Sequence, residues 1–588
     1  GILLEVVRQG QDMVSIWLMF LLGAVVAQYV VPPAQLASSP YAPWAHSHWV
    51  WLSADRATQS AMLEYAQEYL AQNIPVGAVD LDSGWSTGFN NFIFDTTKYP
   101  NASQMIEEFH GLGIKVIFWM TCMIDTDSTN FAYAEQHGYL VKDALGLPAI
   151  VKWWHGKGDT QLLMCCTGGF IDYTNPQAAA WWHSQMDNVL SLGSDGWKTD
   201  GTDPYIAELV IPRTFNGTVT MHDYSNLYYS DSYLYTQQVN GPDTLIMSRP
   251  VDGWGPIYYD FSPRDVVFAG WVGDQDPTWE GLTDAMKKML QSAWANYPCF
   301  GCDIGGYRDG NRTNDYVDNF IRWFQLGALL PLMENGGDGE HRPWMYDEPN
   351  STAIVDTYRT FVALHLQLNP YLLSIGSEAL ENGTSSLIPL AKHASFIDKL
   401  IDDFFPETFD YMLGPQIFVS PIIVENTILK NISFPSGSNW ANLLNPSAVY
   451  PGGTWAMASV PMTSFPAFQQ TGSILPLQVT TDELRHFGDR FSADALTLAV
   501  HSPVDAAHLT SRALAVVSSA TFAGHRIHSQ VREHRASGVL AGYTLDSIQH
   551  VLRFSVSATA TRPVMVLLQQ VTPCKRNDPT LSSSSFIV

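Results

Sequence analysis

Acidic and polar residues stand at the ends of successive apolar runs in this chain. They are Asp80 and Asp82, Asp200, Arg249, Asp274, Asp303 and Asn335. One Asp in such a place is usually a helix cap. So many convergent run ends point instead to a pocket built where strands terminate. Two carboxylates facing one pocket suit glycoside hydrolysis. In its retaining form one carboxylate attacks the anomeric carbon while the other protonates the leaving oxygen, the two about 5–5.5 Å apart. Asp200 and Asp274 are the pair assigned to that work. The attacking group must stay ionised, and Lys198, two residues before Asp200 on the same strand face, is suited to help it. The acid must hold its proton, which calls for an apolar surround, and Phe268 and Trp271 precede Asp274. The residues alone leave other chemistries open, because one scaffold hosts many.

The elements that must position these groups are legible between about His46 and Asn369. Eight apolar runs end at Leu52, Asp82, Ile124, Asp203, Val251, Asp276, Tyr307 and Gly337. Amphipathic stretches lie between them, such as ATQSAMLEYAQEYLAQ ending at Gln72 and TWEGLTDAMKKMLQSAWA ending at Ala295. Strands alternating with helices predict βαβ units and a parallel sheet, and eight units predict a (β/α)8 TIM barrel. After about residue 375 the runs become short and are punctuated by Pro, Gly and Asn, which predicts C-terminal β-sandwich domains. The expected division is 1–47 as the remnant of an N-terminal β domain with a connecting helix, 48–372 as the barrel, 373–476 as a proximal β-sandwich, and 477–588 as a distal β domain with a tail.

The chain's 588 residues are too many for a single core. Its 57 acidic residues against 31 Lys and Arg give a net charge of −26, with no basic run. Phosphate binding needs concentrated positive charge, so neither nucleic acid nor an anionic membrane surface is an expected partner. Met13 to Val31 is free of charge and approaches the length of a membrane span. It is read as a buried connecting helix in preference to a signal anchor, and any membrane association would rest on it. Cys299 and Cys302 have no second pair to complete a tetrahedral metal site and are read as buried thiols on opposite strand faces. Sequons occur at Asn101, Asn216, Asn311, Asn350, Asn382 and Asn431, against roughly three or four expected by chance. The excess leans towards a glycoprotein of the secretory pathway, either extracellular or in a lysosome- or vacuole-like compartment.

The motifs resemble glycoside hydrolase family 31 over nearly the whole chain. WKTDGTD at Asp200 is similar to the family's nucleophile strand, and GWVGDQDPTWEGL at Asp274 to its acid/base strand. SRPVDG resembles the strand whose arginine, here Arg249, binds the sugar. FGCDIGGY and FQLGALLPLMENGGDGEHRPW resemble the last two barrel strands, which implies Asp303 and His341 at the substrate. VDLD resembles the segment that grips the sugar's far hydroxyls, which implies that role for Asp80 and Asp82. WWHGKG at Trp153 and Trp154 looks like an aromatic wall, with core packing as the alternative. The resemblance implies two catalytic Asp residues, retention of configuration, no cofactor and no metal. It also implies a pocket for one terminal non-reducing sugar of an oligosaccharide or glycoside.

Three departures from the family pattern bear on function. Asp203 stands where the family often has Glu, and the KTDG form occurs among members acting on sugars other than glucose. Only GILLEVVRQGQD resembles the family's N-terminal β-sandwich. The expected function is an exo-acting α-glycosidase, with an α-glucoside as the first substrate and a xyloside or galactoside as alternatives. Transglycosylation uses the same residues, and an inactive sugar-binding homologue is the reading from another class.

Overall fold

The computed structural model describes residues 41–152, 167–201, 212–250, 262–309, 314–346, 351–391, 406–446, 448–471 and 473–477, together with six later strands. Trp153, Trp154, Asp203 and the 13–31 segment lie outside the described residues. Among the described residues, no helix is long and apolar enough to cross a membrane.

Seven strands form one parallel sheet: β1 (His48–Leu52), β2 (Ala78–Leu81), β3 (Lys115–Thr121), β4 (Gly196–Asp200), β5 (Leu245–Ser248), β6 (Val267–Gly270) and β7 (Met333–Gly337). Their order is β6-β5-β4-β3-β2-β1-β7. The gap between β6 and β7 is closed by residues 300–303, the run that predicted another strand. Closure takes only two single parallel bridges, Trp271 with Gly301 and Asp303 with Glu334. Gly301 donates to the Gly270 carbonyl at 2.8 Å, and Ile304 donates to that of Glu334 at 3.0 Å. All eight predicted runs therefore take part in a barrel wall, the last-closed member being shorter than its sequence run suggests.

The helices start where side chains can satisfy free backbone N–H groups. Helix α1 (Gln59–Ala71) is capped by Thr58, whose hydroxyl accepts from Ala61. Helix α2 (Trp279–Trp294) is capped by Thr278, which accepts from Gly281. Leu282, Ala285, Met286, Met289, Leu290 and Ala293 form the buried stripe of α2 at the spacing of one helix face. Helices α3 (Ser351–Gln367) and α4 (Asn369–Asn382) finish the barrel layer. Helix α4 runs across the expected 372/373 division, and the first strand of the following β domain starts at Leu387. The cause lies in packing: Tyr371 and Ile375 of α4 are buried, and the Tyr371 hydroxyl donates to the Leu413 carbonyl at 2.7 Å. A six-stranded antiparallel sheet follows, with a separate two-stranded one made of β8 (Leu429–Ser433) and β9 (Trp455–Ser459).

Candidate active site

Neighbouring residues in a parallel ladder share a face, so the registers dictate which side chains meet inside the barrel. Trp51 lies beside Asp80, Trp119 beside Lys198, and Thr121 beside Asp200. Arg249 follows β5 by one residue, and Asp274 lies just past β6. After Asp303 the chain turns through Gly305 and Gly306, both at φ 87°, a conformation that favours glycine. A Cβ on Gly306 would also lie 2.8 Å from the Asp276 backbone. This turn lets the Asp303 loop pass directly against the loop that carries Asp274.

Two ionic groups result. In the first, the Nε atom of Arg249 donates to Oδ1 of Asp200 at 2.8 Å, and Nη2 donates to Oδ1 of Asp274 at 2.9 Å. Nη2 also lies 3.5 Å from Oδ2 of Asp200. That oxygen and the Asp274 oxygen are therefore no more than 6.4 Å apart, the sum of 3.5 and 2.9 Å. Asp200 also accepts from the Gly201 N–H at 2.8 Å and from the Trp119 indole at 3.2 Å. Burial pushes its pKa up, but the Arg249 charge and these hydrogen bonds outweigh burial and hold it below the ordinary carboxylate value. The Asp274 and Asp200 side chains remain 22% and 16% exposed, the open edge of the group.

The second group surrounds Lys198. Its Nζ lies 2.8 Å from Asp80, 3.3 Å from Asp82 and 3.9 Å from Glu334. The same ammonium sits over the Trp51 ring at 3.9 Å and the Trp271 ring at 4.8 Å, and Arg249 shares Trp271 at 4.9 Å. Burial pulls Lys198 down, but the acidic groups Asp80, Asp82, Glu334 and Asp303 outweigh it and hold it well above its ordinary pKa. Burial pushes Asp80 up to about 8 and Glu334 up to about 7, with Lys198 opposing in both cases. Asp303 is pushed well above its ordinary value by burial and by Glu334. Lys198 and Asp80 are thus pushed upward together, although an ion pair should lower the acid. The 2.8 Å contact assigns the charge to that pair. The surplus proton then belongs to Asp303 and Glu334, because no hydrogen-bond donor among the described residues reaches Asp303.

The structure thus brings together Asp80, Asp82, Lys198, Asp200, Arg249, Trp271, Asp274 and Asp303. The cation touching Asp200 is Arg249, whereas Lys198 reaches past β3 to Asp80 on β2 and Asp82 just beyond it. Phe268 stacks on Tyr41 at 5.6 Å and packs on Tyr233. It lies three residues from Trp271 along the strand and so faces outward, leaving Arg249 as the contact to Asp274 in place of the apolar surround expected there. His341 packs against the loop that follows Asp303. Its Nδ1 pairs with the Ile304 carbonyl at 2.9 Å, and its own carbonyl accepts from Tyr69 at 2.7 Å. Two participants escaped the sequence reading. Glu334 was passed over for its neighbour Asn335, although strand parity puts Glu334 inward beside Asp303. Trp119 carried a comparable signal, being one strand across from Lys198. Cys299 and Cys302 are free and buried, one near His46 and the other accepting from Trp323. Among the described residues, no cluster of His, Cys, Asp or Glu suits a metal ion.

A closed parallel barrel with paired carboxylates and a shared arginine at its C-terminal mouth defines a barrel of the glycoside hydrolase type. The chain belongs to glycosyl hydrolase family 31: residues 40–375 match that family's TIM-barrel domain and residues 396–475 its C-terminal domain. Alpha-glucosidase 2 of Bacillus thermoamyloliquefaciens is 25% identical over 438 residues, which cover 71% of this chain and 51% of the relative. An alpha-xylosidase of Saccharolobus solfataricus is 23% identical, covering 74% of this chain and 55% of its own length. The chain thus spans about half the length of these curated relatives. Among solved structures, a GH31 alpha-xylosidase from a soil metagenome complexed with xylose aligns with a TM-score of 0.61 at 21% identity, over 74% of this chain and 64% of that one. A GH31 dextranase from Flavobacterium johnsoniae complexed with glucose aligns with a TM-score of 0.64 at 18% identity, over 90% and 71%.

Proposed function

We propose that the chain carries the catalytic machinery of a retaining, exo-acting α-glycosidase, with Asp200 as nucleophile and Asp274 as acid/base. The observation that carries this reading is the single guanidinium shared by both carboxylates. It donates to one oxygen of each, at 2.8 and 2.9 Å, so the two carboxylates face one pocket. Retaining glycosidases set two such carboxyls about 5–5.5 Å apart across the scissile bond, a spacing that one guanidinium can bridge. The low pKa of Asp200 supports the nucleophile's role, because an attacking carboxylate must be ionised.

In the proposed sequence Asp200 bonds to the anomeric carbon as the glycosidic bond breaks and Asp274 gives its proton to the leaving oxygen. Asp274 then takes a proton from a water whose oxygen bonds to the anomeric carbon as the bond to Asp200 breaks, which releases the sugar with its configuration retained. Arg249 orients both groups. Asp80, Asp82 and Asp303 offer acceptors to sugar hydroxyls. Terminal α-glucosides are the first substrates to try and α-xylosides the second, following the names of the relatives above. Hydrolysis of a panel of aryl α-glycosides tests the reading: turnover with inverted product, or no turnover of any member, would refute it.

A further inference from the structure

Strands β8 and β9 form a two-stranded sheet of their own within residues 396–475. Their pairing puts Leu429 opposite Ser459, Asn431 opposite Met457, and Ser433 opposite Trp455. Burial alternates along both strands, so Ile432 and Ala458 face inward while those six residues share the outer face. That face is unusually apolar for a surface: Trp455 is 69% exposed, Leu429 58% and Met457 57%. An exposed patch of this kind ordinarily has a cover.

The sequon Asn431-Ile432-Ser433 lies on the same face, and its asparagine is central among the apolar groups. We propose that Asn431 is an N-glycosylation site whose glycan covers the Trp455–Met457 face. The transfer joins Nδ2 of Asn431 to the anomeric carbon of a lipid-linked diphospho-oligosaccharide. The bond from that carbon to the diphosphate breaks, the lipid diphosphate leaves, and one amide proton is lost. The first sugar then lies beside Met457, directly across at about 4.5–5.5 Å between Cβ atoms, with Trp455 diagonal at about 7–8 Å. Its C–H face can stack on the indole, as aromatic rings pair with apolar surfaces elsewhere. Asn101, Asn216 and Asn382 are exposed sequon residues too. Asn101, by contrast, is engaged as a helix cap, its side chain accepting from Gln104 at 3.1 Å.

Two measurements test the two halves. Protein isolated from its own source is treated with an amide-cleaving glycosidase in heavy-oxygen water and mapped by peptide mass. Asn431 should appear as labelled aspartate, and an unmodified Asn431 overturns the site. Hydroxyl-radical footprinting, with and without the glycan, then reads oxidation at Trp455 and Met457. Oxidation should rise several-fold at both residues after removal, and likewise in Asn431→Gln. Unchanged oxidation at both overturns the covering role even if the site is modified.

Discussion

Two polar networks flank the same barrel wall, and they satisfy their atoms in opposite ways. Inside the mouth, Lys198 and Arg249 face six carboxyl groups, and the oxygens of Asp303 and Glu334 lack hydrogen-bond donors among the described residues. Outside β1 and β7, beneath α1 and α3, the groups are neutral and linked in series. The Pro75 carbonyl can only accept, so His48 carries its proton on Nδ1 and takes the Tyr358 hydroxyl on Nε2, at 2.7 and 2.8 Å. Tyr358 and Tyr69 each accept from the Asn335 amide, and Tyr69 donates onward to the His341 carbonyl. The inner network keeps several carboxyl oxygens in hand for a polyhydroxylated guest, whereas the outer one spends its donors on holding the wall and leaves only the Asn335 Oδ1 of its linking amide without a donor among the described residues. Unspent buried polarity marks function because it costs stability.

The comparison is broken most severely at Asp200. Asp200→Asn keeps the shape but removes the attacking charge, and turnover should fall by about 10⁴ or more with folding intact. Near-normal turnover of the purified variant would move the nucleophile elsewhere. Asp274→Ala should follow, with losses on poor leaving groups far exceeding those on activated aryl glycosides. Azide should restore turnover and give an adduct of retained configuration, read by NMR, whereas an inverted adduct contradicts the assignment. Arg249→Lys should cost on the order of 10²-fold in kcat/KM, because an ammonium cannot span both carboxylates. Unchanged kinetics would put Arg249 outside the reaction.

Smaller effects sharpen the contrast through pH, because Glu334 of the inner network and His48 of the outer one titrate with opposite sign. Burial lowers His46 and His48 to about 4, below the ordinary 6.5, so their stabilising contribution is complete above pH 6.5 and is lost as pH falls towards 4. Glu334 is raised to about 7, so its contribution is complete below its ordinary 4.5 and is lost as pH rises to 7. Measured by chemical denaturation, Glu334→Gln should therefore gain on the wild type as pH rises from 4.5 to 7, by up to about 1.4 kcal/mol per pH unit. His48→Asn should gain in the opposite direction, from 6.5 down to 4. A pH-independent difference in either variant would remove that residue from the linkage. Tyr358→Phe, the mildest change, should lower stability by about 1–3 kcal/mol with kcat/KM little altered. A large kinetic loss without a change in stability would mean that the outer network serves the reaction directly.

The strand runs were legible because apolar stretches between amphipathic ones leave few alternatives, and all eight lie in the barrel wall. Strand parity placed Lys198 and Asp200 on one face from the sequence alone. Long side chains defeated the reading: Lys198 shares a face with Asp200 but extends across to β2, and the cation on Asp200 arrives from β5. Glu334 was hidden by attention to its neighbour, although the same parity rule would have turned it inward. His341 sits in a loop after β7, where periodicity gives no direction.

The single bridges on either side of residues 300–303 make the two joins there weaker than the others in the barrel. Amide exchange should be fastest there, at Gly301 and Ile304, and slower at β1–β2, where an unbroken ladder pairs four residues. Asp303 and Glu334 lie on opposite sides of the join to β7. A transient parting of it would admit water to the two acids that hold a proton without a donor. Hydration of the pocket floor therefore needs only a local breathing motion at one seam, while the rest of the wall stays shut.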